Sequence, residues 1–139
     1  MIIQDIYLEP YDWTIRVYYA VDEYYIINIL IDLIDLECDE DVFFKVKSLM
    51  ETHKKNVGFT YTNADKRKSL ILIGITTDAS EFQNTYDHEK GHLAMHISNA
   101  LGINPFSEEY QYLTGEIGKQ MFKEAQKLLC DDCRKHLVI

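Results

Sequence analysis

Residues 88–92 read His-Glu-Lys-Gly-His, which is an H-E-x-x-H motif. Two histidines four positions apart lie one turn apart on the same face of a helix, so both imidazoles can reach one Zn²⁺ ion. The glutamate between them lies beside the ion, where it can take a proton from a zinc-bound water. The motif therefore predicts a zinc site with His88 and His92 as metal ligands and Glu89 as the general base.

A long helix has to carry this motif. The spacing predicts a helix over residues 79–101, in which either Asp78 or Ser80 caps the first turn. Gly102 follows the last apolar position and supplies the left-handed residue that commonly ends a helix. Inside the helix, Gly91 either admits a close neighbour or is simply tolerated at a cost of about 1 kcal/mol.

The helical wheel of this segment predicts which motif residue is buried. Five apolar side chains fall on one stripe, and Glu89 lies at the edge of that stripe, followed around the helix by His92 and then His88. We therefore expect the carboxylate to be the most buried of the three groups. The stripe consists of Phe82, Tyr86, Leu93, Ile97 and Leu101.

A catalytic zinc ion is usually held by three protein ligands, so a third one has to be found. His96 continues the four-residue series, but it lies a further turn along the helix, too far from an ion held by the first pair. We expect His96 to have a supporting polar role. Glu108 and Glu109 open the next predicted helix, where acidic residues also complement the helix dipole. Spacing alone leaves open which of the two is the ligand, while Ser98 excludes the metzincin pattern, which needs a histidine at that position.

The remaining elements follow from hydrophobic periodicity and capping residues. Their predicted order is strand, helix, helix, hairpin, helix, helix. This order indicates an α+β fold with four helices and a short antiparallel sheet, and with the H-E-x-x-H motif on the third helix. The elements are a strand over 13–21, a helix over 22–36 capped by Asp22, a helix capped by Asp39, hairpin strands over 57–62 and 69–77, and a last helix that starts at Asn104-Pro105 or Ser107 and ends near 129.

Length and charge limit the function classes. A chain of 139 residues fits one domain over 1–139. Its 23 acidic and 14 basic residues give a formal net charge of −9, which disfavours binding to nucleic acid. The longest apolar stretch, residues 24–36, is shorter than a membrane span and contains Asp32 and Asp35. Because the N-terminus has no export signal, we expect a cytoplasmic protein with no membrane partner.

Other candidate groups carry weaker signals. Tyr86, Tyr110 and Tyr112 could each donate a hydrogen bond to a developing oxyanion, and Tyr112 is the preferred candidate. Cys130 and Cys133 have the spacing of half a zinc site, with His136 as the nearby partner. Because the chain has an odd number of cysteines, three, and no second C-x-x-C pair, we expect reduced thiols at a frayed helix end.

Two segments resemble small zincin-like metallopeptidases of bacterial and phage genomes. Residues 69–92 are similar to the strand that leads into the active-site helix of that family. Residues 108–117 are similar to its glutamate-rich helix, in which a glutamate is followed by a small residue at +3, a fixed residue at +4 and then a glycine. On this pattern Glu108 is the third zinc ligand in preference to Glu109, although Gln111 stands where the family has a small residue.

The resemblance implies a minimal zincin fold with a short sheet edge beside the active-site helix. It also implies a gluzincin-type site, in which His88, His92 and Glu108 hold Zn²⁺, and hydrolysis of a peptide bond. Because a small chain has few loops from which to build a deep cleft, we expect the peptide or protein substrate to be presented by a protein partner. The alternative is a zincin-like binding, regulatory or structural module without turnover. In a third interpretation the motif is coincidental and the chain is an interaction domain.

Overall fold

Four strands form one mixed sheet, and helices cover both of its faces. The computed structural model describes residues 1–22 and 26–135. The strands are Ile2–Leu8 (β1), Trp13–Val21 (β2), Gly58–Asn63 (β3) and Lys68–Gly74 (β4). The helices are Ile26–Asp35 (α1), Glu40–Glu51 (α2), Ala79–Leu101 (α3), Glu108–Ala125 (α4) and Asp131–Arg134 (α5), with 3-10 turns at Glu9–Tyr11 and Gln126–Leu128. The α+β class is therefore confirmed for the described residues.

The strand order is β1-β2-β4-β3. β3 and β4 form the predicted antiparallel hairpin, in which Gly58 pairs with Ile73 and Asn63 pairs with Lys68. β1 and β2 are also antiparallel, whereas β2 and β4 are parallel. The prediction of an antiparallel sheet is thus wrong at its centre. A parallel pair needs a crossover connection, and the chain between β2 and β4 supplies one through α1, α2 and β3.

The two sheet faces hold separate apolar clusters. α3 and α4 cover one face, and α1 and α2 cover the other. The first cluster includes Trp13, Ile15, Val17, Ile71, Ile73, Phe82, Leu93, Ile97, Leu113, Ile117 and Met121. The second includes Tyr18, Val21, Ile29, Leu33, Leu36, Val46, Leu70 and Leu72. The sheet is therefore the middle layer of the fold, and α3 lies against the first face.

Capping residues set the ends of the helices near the motif. The Asp78 side chain accepts a hydrogen bond from the backbone N–H of Glu81 at 2.9 Å, which confirms one of the two predicted caps of α3. Gly102 ends α3 with φ 69°, as predicted. Ser107 caps α4 by accepting from the backbone N–H of Tyr110. These caps fix the length of α3 and the loop that leads to α4.

One prediction about the helices needs correction, and another falls on residues outside the described part of the chain. The last predicted helix, expected to end near residue 129, is α-helical to Ala125 and continues as the 3-10 turn Gln126–Leu128, while α5 follows as a fifth helix that was not predicted. Extended backbone at Cys130, with φ −131° and ψ 129°, separates α5 from the preceding turn. The cap predicted at Asp22 would act on residues 23–25, which lie outside the described residues. Across residues 1–22 and 26–135, no helix combines the length and the apolar character that a membrane crossing requires.

Candidate metal centre

α3 brings the three motif side chains together. One possible ligand atom from each of His88, Glu89 and His92 lies within 4.8 Å of the other two. The two imidazole rings are 4.7 Å apart between centroids, and their Nε2 atoms are 3.1 Å apart. The helical repeat explains this convergence, because residues four apart are neighbours on the helix surface.

Burial separates the carboxylate from the imidazoles. Glu89 is only 4% exposed, whereas His88 and His92 are exposed to solvent. The prediction that the carboxylate is the most buried of the three groups is therefore confirmed. The apolar stripe is confirmed as well: Phe82, Tyr86, Leu93 and Ile97 are buried, and Leu101 is partly buried against the same core. The helix thus holds its carboxylate against the sheet and offers two nitrogen donors to solvent.

Strand β3 supplies the surroundings of Glu89. Thr60 donates a hydrogen bond from Oγ1 to Glu89 Oε2 at 2.9 Å. Two residues earlier, Gly58 approaches the helix so closely that a Cβ atom there would lie 2.7 Å from Glu89 Cγ and 2.9 Å from Thr85 Cγ2. Neither β3 residue was predicted from the sequence. The available signal was the alternation in β3, which puts Gly58, Thr60 and Thr62 on one face of the strand.

His96 has a polar partner on the same strand. Its Nδ1 lies 2.9 Å from Thr62 Oγ1, and that hydroxyl is 2.7 Å from Ser69 Oγ. Trp13 Nε1 donates to the same serine oxygen at 2.9 Å. Burial, followed by the charge of His92, lowers the pKa of His96. His96 therefore belongs to a polar chain that joins α3 to the sheet, as expected of a supporting residue.

The structure does not bring Glu108 or Glu109 to the motif. Within the described chain, the side chains grouped at ligand distances are His88, Glu89 and His92, and both α4 glutamates are exposed. α4 packs on a different flank of α3, where Tyr86 Oη lies 3.5 Å from the Gly118 carbonyl. The predicted third ligand therefore does not complete the site in this arrangement.

The position of the imidazoles around α3 accounts for part of that separation. Lys90 Nζ would lie 3.8 Å from a Cβ atom at Gly118, so Lys90 points toward α4. Lys90 is two positions from both His88 and His92, and two positions correspond to about 200° around a helix. The flank of α3 that meets α4 is thus nearly opposite the flank that carries the imidazoles. Periodicity in the sequence indicates on which side of its own helix a residue lies. It does not indicate which flank of that helix a neighbouring helix covers.

The candidate oxyanion donors are not assembled into the site. Burial, followed by the charge of Asp87, raises the pKa of Tyr86 to about 12, and its hydroxyl faces the Gly118 carbonyl. Tyr110 packs against the core, and Tyr112 is exposed on α4. Their proposed roles stay predictions. Cys130 and Cys133 are both exposed, and their predicted partner His136 lies outside the described residues.

The donor set fits a zinc ion. With bonds of about 2.0–2.1 Å, a tetrahedral zinc separates two nitrogen ligands by about 3.3 Å. The observed separation of 3.1 Å between the two Nε2 atoms is close to that value. A carboxylate beside two exposed imidazoles is also the group that a metal-dependent hydrolase uses to move a proton.

Comparisons with known proteins add no family to this description. No family model matches the chain, and no curated protein or solved structure matches it either. The resemblance to zincin-like metallopeptidases therefore depends on the residues of the chain itself.

Proposed function

We propose that this chain is a zinc-dependent peptide hydrolase in which His88 and His92 bind the ion and Glu89 moves the proton. The observation that carries the proposal is the convergence of these three side chains within 4.8 Å on one helical turn. The two imidazoles are exposed and the carboxylate is buried. This difference supports the proposal, because the metal ligands and the base then have different environments.

Glu89 has the position that a general base needs. The hydrogen bond from Thr60 holds its carboxylate in one orientation next to the imidazoles. From there a carboxylate oxygen accepts a proton from the attacking water and later returns it to the leaving amine nitrogen. Zinc at the two imidazoles would supply Lewis-acid polarisation of the substrate carbonyl and a lower pKa for water.

The place of β3 supports a peptide as the substrate. β3 is the last strand in the sheet order, so in the described residues one of its edges has no strand partner. Thr60 links this strand directly to Glu89. An extended peptide can add to such an edge through main-chain hydrogen bonds, which would bring a peptide carbonyl close to α3.

A third protein ligand remains part of the proposal. The family resemblance favours Glu108, and Glu109 is the alternative. Either carboxylate would have to move toward the imidazoles before it could bind the same ion. Separate Glu108→Ala and Glu109→Ala variants test this step, because only the variant that lacks the true ligand will bind zinc more weakly. Equal zinc affinity in both variants would remove the two glutamates from the site.

A second candidate function is a zincin-like binding or regulatory module that holds metal without turnover. The observation in its favour is the position of Glu108 and Glu109 outside the ligand group. With two nitrogen donors and no third protein ligand, an ion would be held less firmly than in a catalytic site. This candidate predicts zinc binding without cleavage of peptides.

Zinc content and cleavage of a peptide library, measured on the same purified samples, separate the candidates. We expect one zinc ion per chain in the wild type and in His53→Ala, which removes an exposed histidine elsewhere. The double variant His88→Ala/His92→Ala should lose the ion. Glu89→Gln should keep the ion and lose cleavage. Zinc without cleavage in the wild type would favour the binding module, and absence of zinc after reconstitution would overturn both candidates.

A further inference from the structure

Two cysteines lie on an exposed turn near the C-terminal end of the described residues. Cys130 is the N-cap of α5, and Cys133 is three positions further along the same short helix. Both side chains are exposed, whereas Cys38 is partly buried. The side chain of an N-cap residue lies against the N2 and N3 positions of its helix, and Cys133 occupies N3, so a small adjustment brings the two sulfurs to bonding distance.

The turn that carries these cysteines is anchored to the rest of the fold. Asp131 Oδ1 accepts a hydrogen bond from the backbone N–H of Ala79 at 2.8 Å. The Arg134 guanidinium is buried and donates to the Thr76 carbonyl, and at 3.0 Å to the Thr76 hydroxyl. Asp131 directly follows Cys130 in the sequence, and Arg134 directly follows Cys133. The anchors therefore hold the turn in one shape, so the two thiols stay close to each other.

The environments of the two thiols differ. The backbone N–H and the thiol of Cys133, together with the N–H of Asp132, lower the pKa of Cys130. The interaction with Cys130, in contrast, raises the pKa of Cys133. Burial raises the pKa of Cys38. Cys130 is thus the more readily ionised thiol of the pair, and Cys133 is the neighbour that can react second.

We propose that Cys130 and Cys133 are a redox-active dithiol that forms a reversible disulfide by exchange with a low-molecular-weight disulfide. The Cys130 thiolate attacks one sulfur of glutathione disulfide, so a mixed disulfide forms and one glutathione leaves as a thiol. Cys133 then attacks the Cys130 sulfur and releases the second glutathione. Two cysteine thiols are oxidised, one disulfide is reduced, and the two protons pass to the two glutathione thiols.

The test uses the full chain in glutathione buffers of increasing oxidised fraction, with a chelator present. Free thiols are alkylated after an acid quench, and peptides are mapped by mass spectrometry. We expect a Cys130–Cys133 linkage that increases with the oxidised fraction and is reversed by excess thiol, while Cys38 stays alkylatable. Cys38→Ser is the matched control and should give the same linkage.

Single variants test the order of the two steps. Cys133→Ser should lose the linkage completely and accumulate glutathione on Cys130. Cys130→Ser should lose the linkage and accumulate less glutathione. Brief alkylation of the reduced wild type at neutral pH should modify Cys130 before Cys133 and Cys38. Absence of the linkage in every buffer, or equal modification of all three cysteines, would overturn the proposal. Protection of both thiols only when zinc replaces the chelator would overturn it in favour of a metal site.

Discussion

Thr60 and Glu89 connect the edge strand of the sheet to the motif helix through a hydrogen bond of 2.9 Å from Oγ1 to Oε2. The bond matters because Glu89 is a carboxylate with only 4% of its surface exposed. A buried carboxylate needs hydrogen-bond donors, since it has lost most of its contact with water. Through this hydrogen bond, β3 therefore holds the carboxylate that we propose as the base.

Replacing Thr60 by valine should destabilise the protein, because it removes a donor to a buried carboxylate. We expect the free energy of unfolding to fall by about 1–3 kcal/mol, measured by urea denaturation of the metal-free protein. Thr60→Ser is the control, because it keeps the hydroxyl and should lose less than about 1 kcal/mol. A valine variant as stable as the wild type would contradict this role of the hydroxyl.

Gly58 and Gly91 should respond in opposite ways to alanine. A Cβ at Gly58 would meet Glu89 Cγ at 2.7 Å and Thr85 Cγ2 at 2.9 Å, so β3 or α3 has to shift. We expect Gly58→Ala to lower the free energy of unfolding by about 1–3 kcal/mol. A Cβ at Gly91 meets nothing within 4 Å, so Gly91→Ala should raise it by about 0.5–1 kcal/mol.

Urea denaturation of the two glycine variants under the same conditions checks both signs. Gly115→Ala provides a second helical control, because a Cβ there also has no neighbour within 4 Å. If Gly58→Ala were as stable as the helical variants, the close approach of β3 to Glu89 would be contradicted. For Gly91, the structure favours the interpretation that glycine is simply tolerated there.

Local signals in the sequence were sufficient to predict the motif helix and the hairpin. Asp78 as a cap, Gly102 as a left-handed end and the apolar stripe all act within α3 itself. The burial of Glu89 follows from the same periodicity. These features depend on neighbours a few residues away, so one sequence contains enough information to predict them.

Contacts between distant segments were the part that the sequence did not reveal. β1 was missed because its polar residues Gln4 and Asp5 interrupt a short apolar run, and its strand structure depends on pairing with β2. The parallel pairing of β2 and β4 depends on the path of the intervening helices. The position of Glu108 depends on the flank of α3 that α4 covers, which periodicity does not specify.

His96 should make stability depend on pH. Its pKa is lowered in the folded protein, first by burial and then by the charge of His92. The unfolded chain therefore binds a proton at this residue more readily than the folded protein does. The contribution of His96 to the free energy of unfolding is complete above the ordinary histidine pKa of about 6.5. It is lost as the pH falls through the lower pKa that His96 has in the folded protein.

The His96→Gln variant isolates this effect. Urea denaturation of the metal-free protein at about pH 8 and about pH 5.5 should show a smaller loss of stability in the variant than in the wild type. The variant keeps the other four histidines of the chain, so the difference between the two losses reports His96. Identical losses would show that His96 does not titrate differently on folding.

Arg134 should be worth much more to stability than its neighbour Lys135. Arg134 is buried and donates to the carbonyl and hydroxyl oxygens of Thr76, so Arg134→Ala leaves buried acceptors without a partner. We expect a loss of about 1.5–3 kcal/mol in the free energy of unfolding. The Lys135 side chain is 77% exposed and forms a surface ion pair with Asp132, so Lys135→Ala should change stability by less than about 0.5 kcal/mol.

Hydrogen exchange locates the effect of the Arg134 variant. The backbone N–H of Ala79 donates to Asp131, and Arg134 Nη1 is 3.4 Å from that carboxylate. Loss of Arg134 should therefore speed exchange at Ala79 more than in the middle of α3, because local opening of α5 exposes the first turn. Equal destabilisation by Arg134→Ala and Lys135→Ala, or unchanged exchange at Ala79, would mean that α5 does not anchor the start of the motif helix.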